Sequence, residues 1–117
     1  MARHNDTGKK GEELAAAWFQ NKGYCIIEKN WRWKRLEIDI IAVRENMLHF
    51  IEVKCRRSQK FGTPEENVSP KKIKNLLDAA EEYLNLYPSK KRIQFDVLSI
   101  TLGEGKVEYF LIEDVYL

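Results

Sequence analysis

The fold is decided by the stretch LEIDIIAVRENMLHFIEVKC, residues 36–55. It contains two runs rich in β-branched and other apolar residues, Leu36–Val43 and Met47–Cys55, with a short polar connection between them. Runs of this composition predict strands, and a connection of a few residues predicts an antiparallel hairpin. Charged residues interrupt both runs, and their positions carry the chemical interpretation that follows.

The charged residues of the two strands fall at spacings that bring them together. Strand side chains alternate between faces, so Glu52 shares a face with Lys54, and Glu37 shares one with Asp39. A turn centred on residues 45–46 predicts that Asp39 lies opposite Glu52 and that Glu37 lies opposite Lys54. Opposed side chains have Cβ atoms about 5 Å apart. We therefore expect both carboxyl groups of Asp39 and Glu52 on one sheet face, close enough to share a metal ion.

Two carboxylates at that separation repel each other unless a cation or a shared proton compensates. Mg²⁺ or Mn²⁺ suits two carboxylates together with waters and a substrate phosphate. Lys54 is then placed to orient or deprotonate a water, or to hold the scissile phosphate. This pattern indicates metal-assisted cleavage of a phosphodiester bond. The alternative is a solvated hairpin face with ordinary surface ion pairs, which are common and weak.

Helices and further strands surround the hairpin. The expected elements are a helix from about Asp6 to Asn21, capped by Asp6 or Thr7 and ended by Gly23, a short strand at Tyr24–Ile27, a polar loop at residues 56–69, a helix capped by Ser69 and ended by Pro88, and strands at Ile93–Ile100 and Val107–Ile112. A strand, a helix and a strand in sequence favour a right-handed crossover between parallel strands. The order α-β-β-β-α-β-β thus predicts an α/β protein with a mixed β-sheet flanked by helices.

The bulk composition narrows the class of protein. The chain has 117 residues, of which 44% are apolar and 32% charged, so we expect one globular domain over residues 1–117. The longest apolar stretch, Ile40–Val43, is too short to cross a bilayer. Cys25 and Cys55 have neither disulfide nor zinc spacing. A cytoplasmic protein that does not enter the membrane is expected.

The charge is unevenly distributed along the chain. Residues 29–74 contain 12 Lys and Arg against 6 Asp and Glu, whereas residues 75–117 contain 4 against 8. A basic segment can bind a phosphate backbone, although a solvated surface with uneven charge is the alternative. Lysines also occupy the first turns of the second helix, where the macrodipole disfavours cations. The candidate nucleic-acid-binding residues are Arg32, Lys34, Arg35, Arg56, Arg57, Lys71, Lys72 and Lys74.

Four other residues have functional and structural interpretations. Trp31 and Trp33 could stack on bases, but we expect at least one of them to pack in the core. Asp96 could support Glu52 or be a buried, hydrogen-bonded acid, and we favour the second. His49 has no metal spacing and is expected to be structural.

The residues Asp39, Glu52 and Lys54 resemble the core of PD-(D/E)XK nucleases, in the arrangement of archaeal Holliday junction resolvases. The whole chain resembles the YraN-like family of uncharacterised bacterial proteins. The matching stretches are Gly8–Ala15, Gly23–Tyr24, Asn30–Arg32, Glu37–Ala42, Phe50–Arg56, Val68–Lys72 and Phe95–Val97. Two positions depart from the patterns: Ile38 replaces the proline of the nuclease motif, and Leu36 replaces a glycine often found in the family.

The resemblance implies a restriction-endonuclease-like fold and a metal site that Glu12 of the first helix completes. The expected function is therefore hydrolysis of DNA with Mg²⁺ or Mn²⁺, with branched or damaged DNA as candidate substrates and RNA still open. A resolvase would act as a homodimer, because cutting two strands needs two sites. The alternative is a non-catalytic nucleic-acid-binding or scaffold module on the same fold.

Overall fold

The computed structural model describes residues 2–57 and 69–115, with side chains from residue 8 onward. Most of the polar loop expected at residues 56–69 lies outside these ranges. The described elements follow the predicted order: α1 (Ala2–Asn21), β1 (Cys25–Trp33), β2 (Leu36–Arg44), β3 (Met47–Arg56), α2 (Pro70–Leu86), β4 (Arg92–Gly103) and β5 (Lys106–Ile112). Within the described residues, no helix is long and apolar enough to span a membrane.

The five strands form one mixed sheet in the order β1-β2-β3-β4-β5. β3 and β4 are parallel, as predicted, and every other neighbouring pair is antiparallel. Each helix covers one face of the sheet. Phe19 of α1 packs against Ile51 on one face, and Leu76 of α2 packs against Phe50 on the other. Because Phe50 and Ile51 are consecutive in β3, their side chains necessarily enter opposite cores.

Three of the four helix ends lie where the sequence predicted them. Ser69 caps α2, since its Oγ accepts a hydrogen bond from the Lys72 N–H at 3.2 Å, and Pro70 occupies the first turn. Gly23 follows α1 with a φ of 93°, a conformation that glycine adopts without strain. The beginning of α1 was predicted wrongly. It starts at Ala2 rather than Asp6, because no proline or glycine precedes Gly8 to stop the helix.

The first strand is also longer than the expected Tyr24–Ile27, since β1 runs to Trp33. Its alternation is broken by a bulge between Ile26 and Glu28 and by Asn30, whose φ is 55°. Such irregularities shift side chains between faces, which hides the period of two in the sequence. Trp31 nevertheless packs on the α2 side, with its ring 5.3 Å from that of Tyr83.

A tight turn closes the β2–β3 hairpin. Glu45 and Asn46 both have positive φ, at 52° and 62°, as two-residue hairpin turns require. The register is the predicted one from Arg44↔Met47 to Ile40↔Ile51. The regular pairing of the two strands ends at that last pair, immediately before Asp39.

Candidate active site

β2 and β3 separate at Asp39. Ile40 packs in the core under α1, whereas Ile38 packs in the core under α2. Residues two apart in a regular strand share a face, so the backbone of β2 must turn between them. Asp39 Oδ2 accepts a hydrogen bond from the Val53 N–H at 2.7 Å. The predicted Asp39–Glu52 pair is therefore not part of the ladder: beyond Ile40, a bond from side chain to backbone joins the strands.

The electrostatic environment of Asp39 is unfavourable to its charge. Burial and, to a smaller extent, the carboxylates of Glu37, Glu52 and Glu12 raise the pKa of Asp39 to about 6, against the lowering effect of the hydrogen bond from the Val53 N–H. Asp39 is thus a weaker acid than an exposed aspartate. A cation beside it would reverse that balance, because an opposite charge favours the ionised form.

Glu52 and Lys54 form an ion pair on the α2 face of the sheet. Lys54 Nζ lies 2.7 Å from Glu52 Oε2, and the two side chains are only 31% and 22% exposed. Burial lowers the pKa of Lys54, but the hydrogen bond that Lys54 donates to Glu52, the contact with Lys72 and the nearby carboxylates outweigh burial, so the pKa rises. The expected Glu37–Lys54 pair is absent from the ion pairs of the described residues. Glu37 lies instead 3.6 Å from Arg32, on β1.

α2 contributes Lys72 to the pocket that the Glu52–Lys54 ion pair lines. Lys72 lies within hydrogen-bonding reach of Lys54, and that contact, more than burial, lowers its pKa. Lys71 is exposed, and Lys74 Nζ bonds to Asp78 Oδ2 one turn away at 2.9 Å. The charge of Lys74 is thus compensated within the helix, which weakens the macrodipole argument for that residue. The sequence alone could have indicated that Lys72 faces the sheet, because Lys72 precedes the buried Leu76 by four residues and residues four apart lie on the same side of a helix.

These groups line one pocket of about 370 Å³. Three acidic and three basic side chains face it: Glu37, Asp39 and Glu52, and Arg35, Lys54 and Lys72. Val53 and Asn75 lie among them. A pocket lined by both acidic and basic side chains can hold a cation and an anion side by side.

Glu12 approaches Asp39 from the α1 side. It lines a second pocket, of about 250 Å³, with Asp39 and Lys54, and its Oε1 accepts a hydrogen bond from Asn30 Nδ2 at 3.2 Å. α1 comes this close because of Gly11: a Cβ there would lie 2.5 Å from the Cβ of Cys55 on β3. Asp39 lines both pockets, whereas Glu52 lines only the α2-side pocket of the two.

The carboxylates do not assemble into a ready-made ligand set. Among the side chains of residues 8–57 and 69–115, no three His, Cys, Asp or Glu are grouped closely enough to bind one metal ion. Asp39 has Glu52 on one side and Glu12 on the other. The arrangement offers a pair of carboxylates and a third nearby rather than three converging ligands.

The other candidate nucleic-acid residues are spread around the site. Arg35 lines the main pocket, and Lys34 lies over the ring of Trp33 with its Nζ 5.6 Å from the ring centre. Arg56 is half-buried and Arg57 is exposed at the end of β3. As expected, one tryptophan of the pair, Trp31, packs in the core.

Asp96 has the structural role that the sequence favoured. It is fully buried on β4, and its Oδ2 lies 2.8 Å from Nδ1 of the buried His49. Its Oδ1 accepts hydrogen bonds from the Gln94 amide and the Asp114 N–H, both at 2.9 Å. Neither Asp96 nor His49 lines the pocket around Asp39.

Known proteins resemble the chain over most of its length. The uncharacterised protein family UPF0102 matches residues 11–100. A UPF0102 protein of Flavobacterium psychrophilum is 44% identical over 118 residues, which cover 99% of this chain and 98% of the relative. A UPF0102 protein of Syntrophomonas wolfei is 44% identical over 104 residues, covering 88% of this chain and 90% of the relative. One of Chlorobium phaeobacteroides is 41% identical, covering 95% and 91%.

These matches span α1, the hairpin with Asp39, Glu52 and Lys54, and α2 with Lys72. They confirm the resemblance to the YraN-like family that the sequence motifs indicated. The chain therefore belongs to the UPF0102 family.

Proposed function

We propose that this protein is a divalent-metal-dependent nuclease that hydrolyses DNA phosphodiester bonds on a restriction-endonuclease-like, PD-(D/E)XK fold. The observation that carries the proposal is Asp39, a half-buried carboxyl group with a pKa of about 6 that shares a pocket with the Glu52–Lys54 ion pair. Burying a carboxyl group among other carboxylates costs stability. A bound cation is the most direct compensation for that cost.

The oxygen atoms of Asp39 and Glu52 would hold Mg²⁺ or Mn²⁺, since hard cations prefer carboxylate ligands. When bound, such an ion supplies Lewis-acid polarisation of the phosphate and a more acidic water. Glu12 would assist from the α1 side, where its carboxylate can accept a hydrogen bond from a water beside Asp39. This role fits the absence of a three-residue ligand group among the described side chains.

Lys54 is the group that acts on the substrate in this proposal. Its ammonium group is anchored by Glu52 and lines the pocket that also contains Asp39. From there it can donate a hydrogen bond to a phosphate oxygen or orient the attacking water. A raised pKa keeps Lys54 protonated, so it serves as a cation and proton donor rather than as a general base.

The DNA backbone would pass over the basic side chains of the pocket. Arg35 is one of these side chains, and Lys34, Arg57 and Lys71 are further exposed cations. Such cations neutralise phosphates without reading sequence. Cutting both strands of a branched substrate needs two active sites and therefore a dimer. We propose a dimer for that kind of substrate alone.

A second function has one observation in its favour. The lack of three converging ligands among the described side chains suits a nucleic-acid-binding module that uses the same basic side chains to bind DNA or RNA without cleaving it. In that case Lys54 neutralises Glu52 and the pocket binds a phosphate but no metal ion.

A cleavage panel separates the two functions. Duplex, flap, four-way-junction and single-stranded DNA, with matching RNA, would be incubated with Mn²⁺, Mg²⁺ or EDTA. We expect metal-dependent cleavage by the wild type and by Glu45→Gln, a matched carboxylate change in the hairpin turn, but none by Asp39→Asn. Binding to several of these substrates without cleavage of any would support the binding module instead.

A further inference from the structure

Two lysine side chains from different elements lie close together in the main pocket. Lys54 on β3 and Lys72 on α2 both line it and are within hydrogen-bonding reach of each other. Two positive charges at such a distance repel each other strongly in a partly buried site. Glu52 compensates Lys54 through the 2.7 Å ion pair, whereas within the described part of the chain Lys72 is attracted by that same carboxylate at longer range. The pair of lysines is therefore an incomplete arrangement that an anion would complete.

The total charge of the pocket also favours the binding of an anion. Its three acidic and three basic side chains balance. A divalent cation bound by the carboxylates would leave the pocket with excess positive charge. A phosphate group is the anion that nucleic acids offer, and its negative charge would restore the balance.

The helix presents a defined face to this pocket. Lys72 and Asn75 both line it, and residues three apart lie on the same side of a helix. Leu76, four residues after Lys72, is buried in the core below. The Ser69 cap fixes the first turn of α2 by bonding the Lys72 N–H. Lys71 is exposed and Lys74 is paired with Asp78, so this face distinguishes Lys72 from its neighbours.

We propose that Lys72 is a catalytic residue that binds the scissile phosphate jointly with Lys54, with the Asn75 amide as a further donor. The assignment rests on the proposed nuclease function and adds α2 to the catalytic apparatus. The non-bridging oxygens of the phosphate accept hydrogen bonds from both ammonium groups, which line the same pocket as Asp39. A free phosphate ion has the same chemistry and occupies the same place when nucleic acid is absent.

The first test needs neither metal nor activity. Thermal unfolding of the wild type, Lys72→Gln, Lys72→Arg and Lys71→Gln is measured in EDTA, with inorganic phosphate or chloride at equal ionic strength. A ligand that binds the folded state raises its melting temperature. We expect phosphate to stabilise the wild type, Lys72→Arg and Lys71→Gln more than Lys72→Gln. In chloride, Lys72→Gln should melt above the wild type, because the repulsion with Lys54 is gone.

The second test is single-turnover cleavage with Mn²⁺ at saturating enzyme. Removing one donor to a transition-state oxyanion typically lowers the rate about 10²–10³-fold. We expect a loss of that size for Lys72→Gln, partial rescue by Lys72→Arg, and no loss for Lys90→Gln, at an exposed lysine outside the proposed site. The assignment would be overturned if phosphate stabilised Lys72→Gln as much as Lys71→Gln, or if Lys72→Gln cleaved as fast as Lys90→Gln.

The two tests also separate this inference from the proposed function. If the wild type cleaves nothing but the phosphate-dependent stabilisation is lost in Lys72→Gln alone, the lysine pair is an anion site and the nuclease function fails. If the wild type cleaves and Lys72→Gln cleaves at the same rate, the nuclease function stands and the role of Lys72 is refuted.

Discussion

The sheet contains two aspartates whose surroundings differ sharply. Asp96, on β4, has His49, the Gln94 amide and the Asp114 N–H around its carboxylate. Asp39, on β2, accepts a hydrogen bond from the Val53 N–H and lies near three other carboxylates. Asp96 is fully buried among hydrogen-bond donors, whereas Asp39 is half-buried beside like charges and lines two pockets.

Because of this difference, we expect Asp96 to stabilise the fold and the ionised Asp39 to destabilise it. A buried carboxylate with its hydrogen-bonding capacity filled contributes to folding, and removing it leaves its partners unsatisfied. A buried carboxylate near like charges is destabilising until a cation arrives. The Asp96 region is therefore assigned to structure and the Asp39 region to chemistry, and the following variants test that division.

The largest expected effect is on cleavage by Asp39→Asn. Asn keeps the shape of the side chain and can still accept the Val53 N–H, but it removes the charge that would hold a cation. Single-turnover cleavage with Mn²⁺ should fall about 100-fold or more, while metal-free DNA affinity is unchanged or slightly higher, because a charge that repels phosphate is gone. Cleavage at the wild-type rate by a folded variant would remove Asp39 from the site.

The next effect is on stability, at the other aspartate. Asp96→Ala should lower the free energy of unfolding by about 3–5 kcal/mol, because the His49 ring and the Asp114 N–H lose a buried acceptor. Urea unfolding measures the loss, with Asp96→Asn as a control that retains one oxygen and should lose less. If Asp96→Ala were as stable as the wild type, the contrast between the two aspartates would not hold.

A third effect appears in the pH dependence of stability without metal. The pKa of Asp39 is about 6 in the folded protein, above its ordinary value of 3.8. A proton therefore binds the folded state more tightly than the unfolded state, and the stability it contributes is complete below about pH 4 and is lost as the pH rises through 6. The loss is about 3 kcal/mol.

Asp39→Asn lacks this titration, so its stability relative to the wild type should increase between pH 4 and 7. Urea unfolding of both proteins across that range, in EDTA, measures the difference. A constant difference would mean that Asp39 ionises in the folded protein as easily as in the unfolded chain.

The smallest effect concerns the neighbours of Asp39. Glu37 raises the pKa of Asp39 after burial and the opposing Val53 N–H, so Glu37→Gln should shift that pKa down by a fraction of a pH unit. Glu45 is not among the groups acting on Asp39, which makes Glu45→Gln the matched control. NMR titration of the Asp39 carboxyl resonance measures this pKa in both variants, and equal midpoints would show that Glu37 does not act on Asp39.

Much of the fold could be predicted from local patterns. The hairpin register followed from a two-residue turn, and α2 followed from its Ser69 cap and its apolar period. The parallel pairing of β3 and β4 followed from the helix that lies between the two strands in the sequence. The beginning of α1 and the length of β1 were missed. A helix without a stop signal and a strand with a bulge carry no clear local pattern.

The sequence by itself determined which residues carry charge on the hairpin, that Glu52 and Lys54 share a face, and which family the chain belongs to. Only the tertiary structure decided how those charges meet. The separation of β2 from β3 directs Asp39 to the Val53 N–H, and the packing of α2 on the sheet brings Lys72 to Lys54. Local periodicity sets the face of a side chain, but burial and long-range packing set its neighbours, and the neighbours determine its pKa and its chemistry.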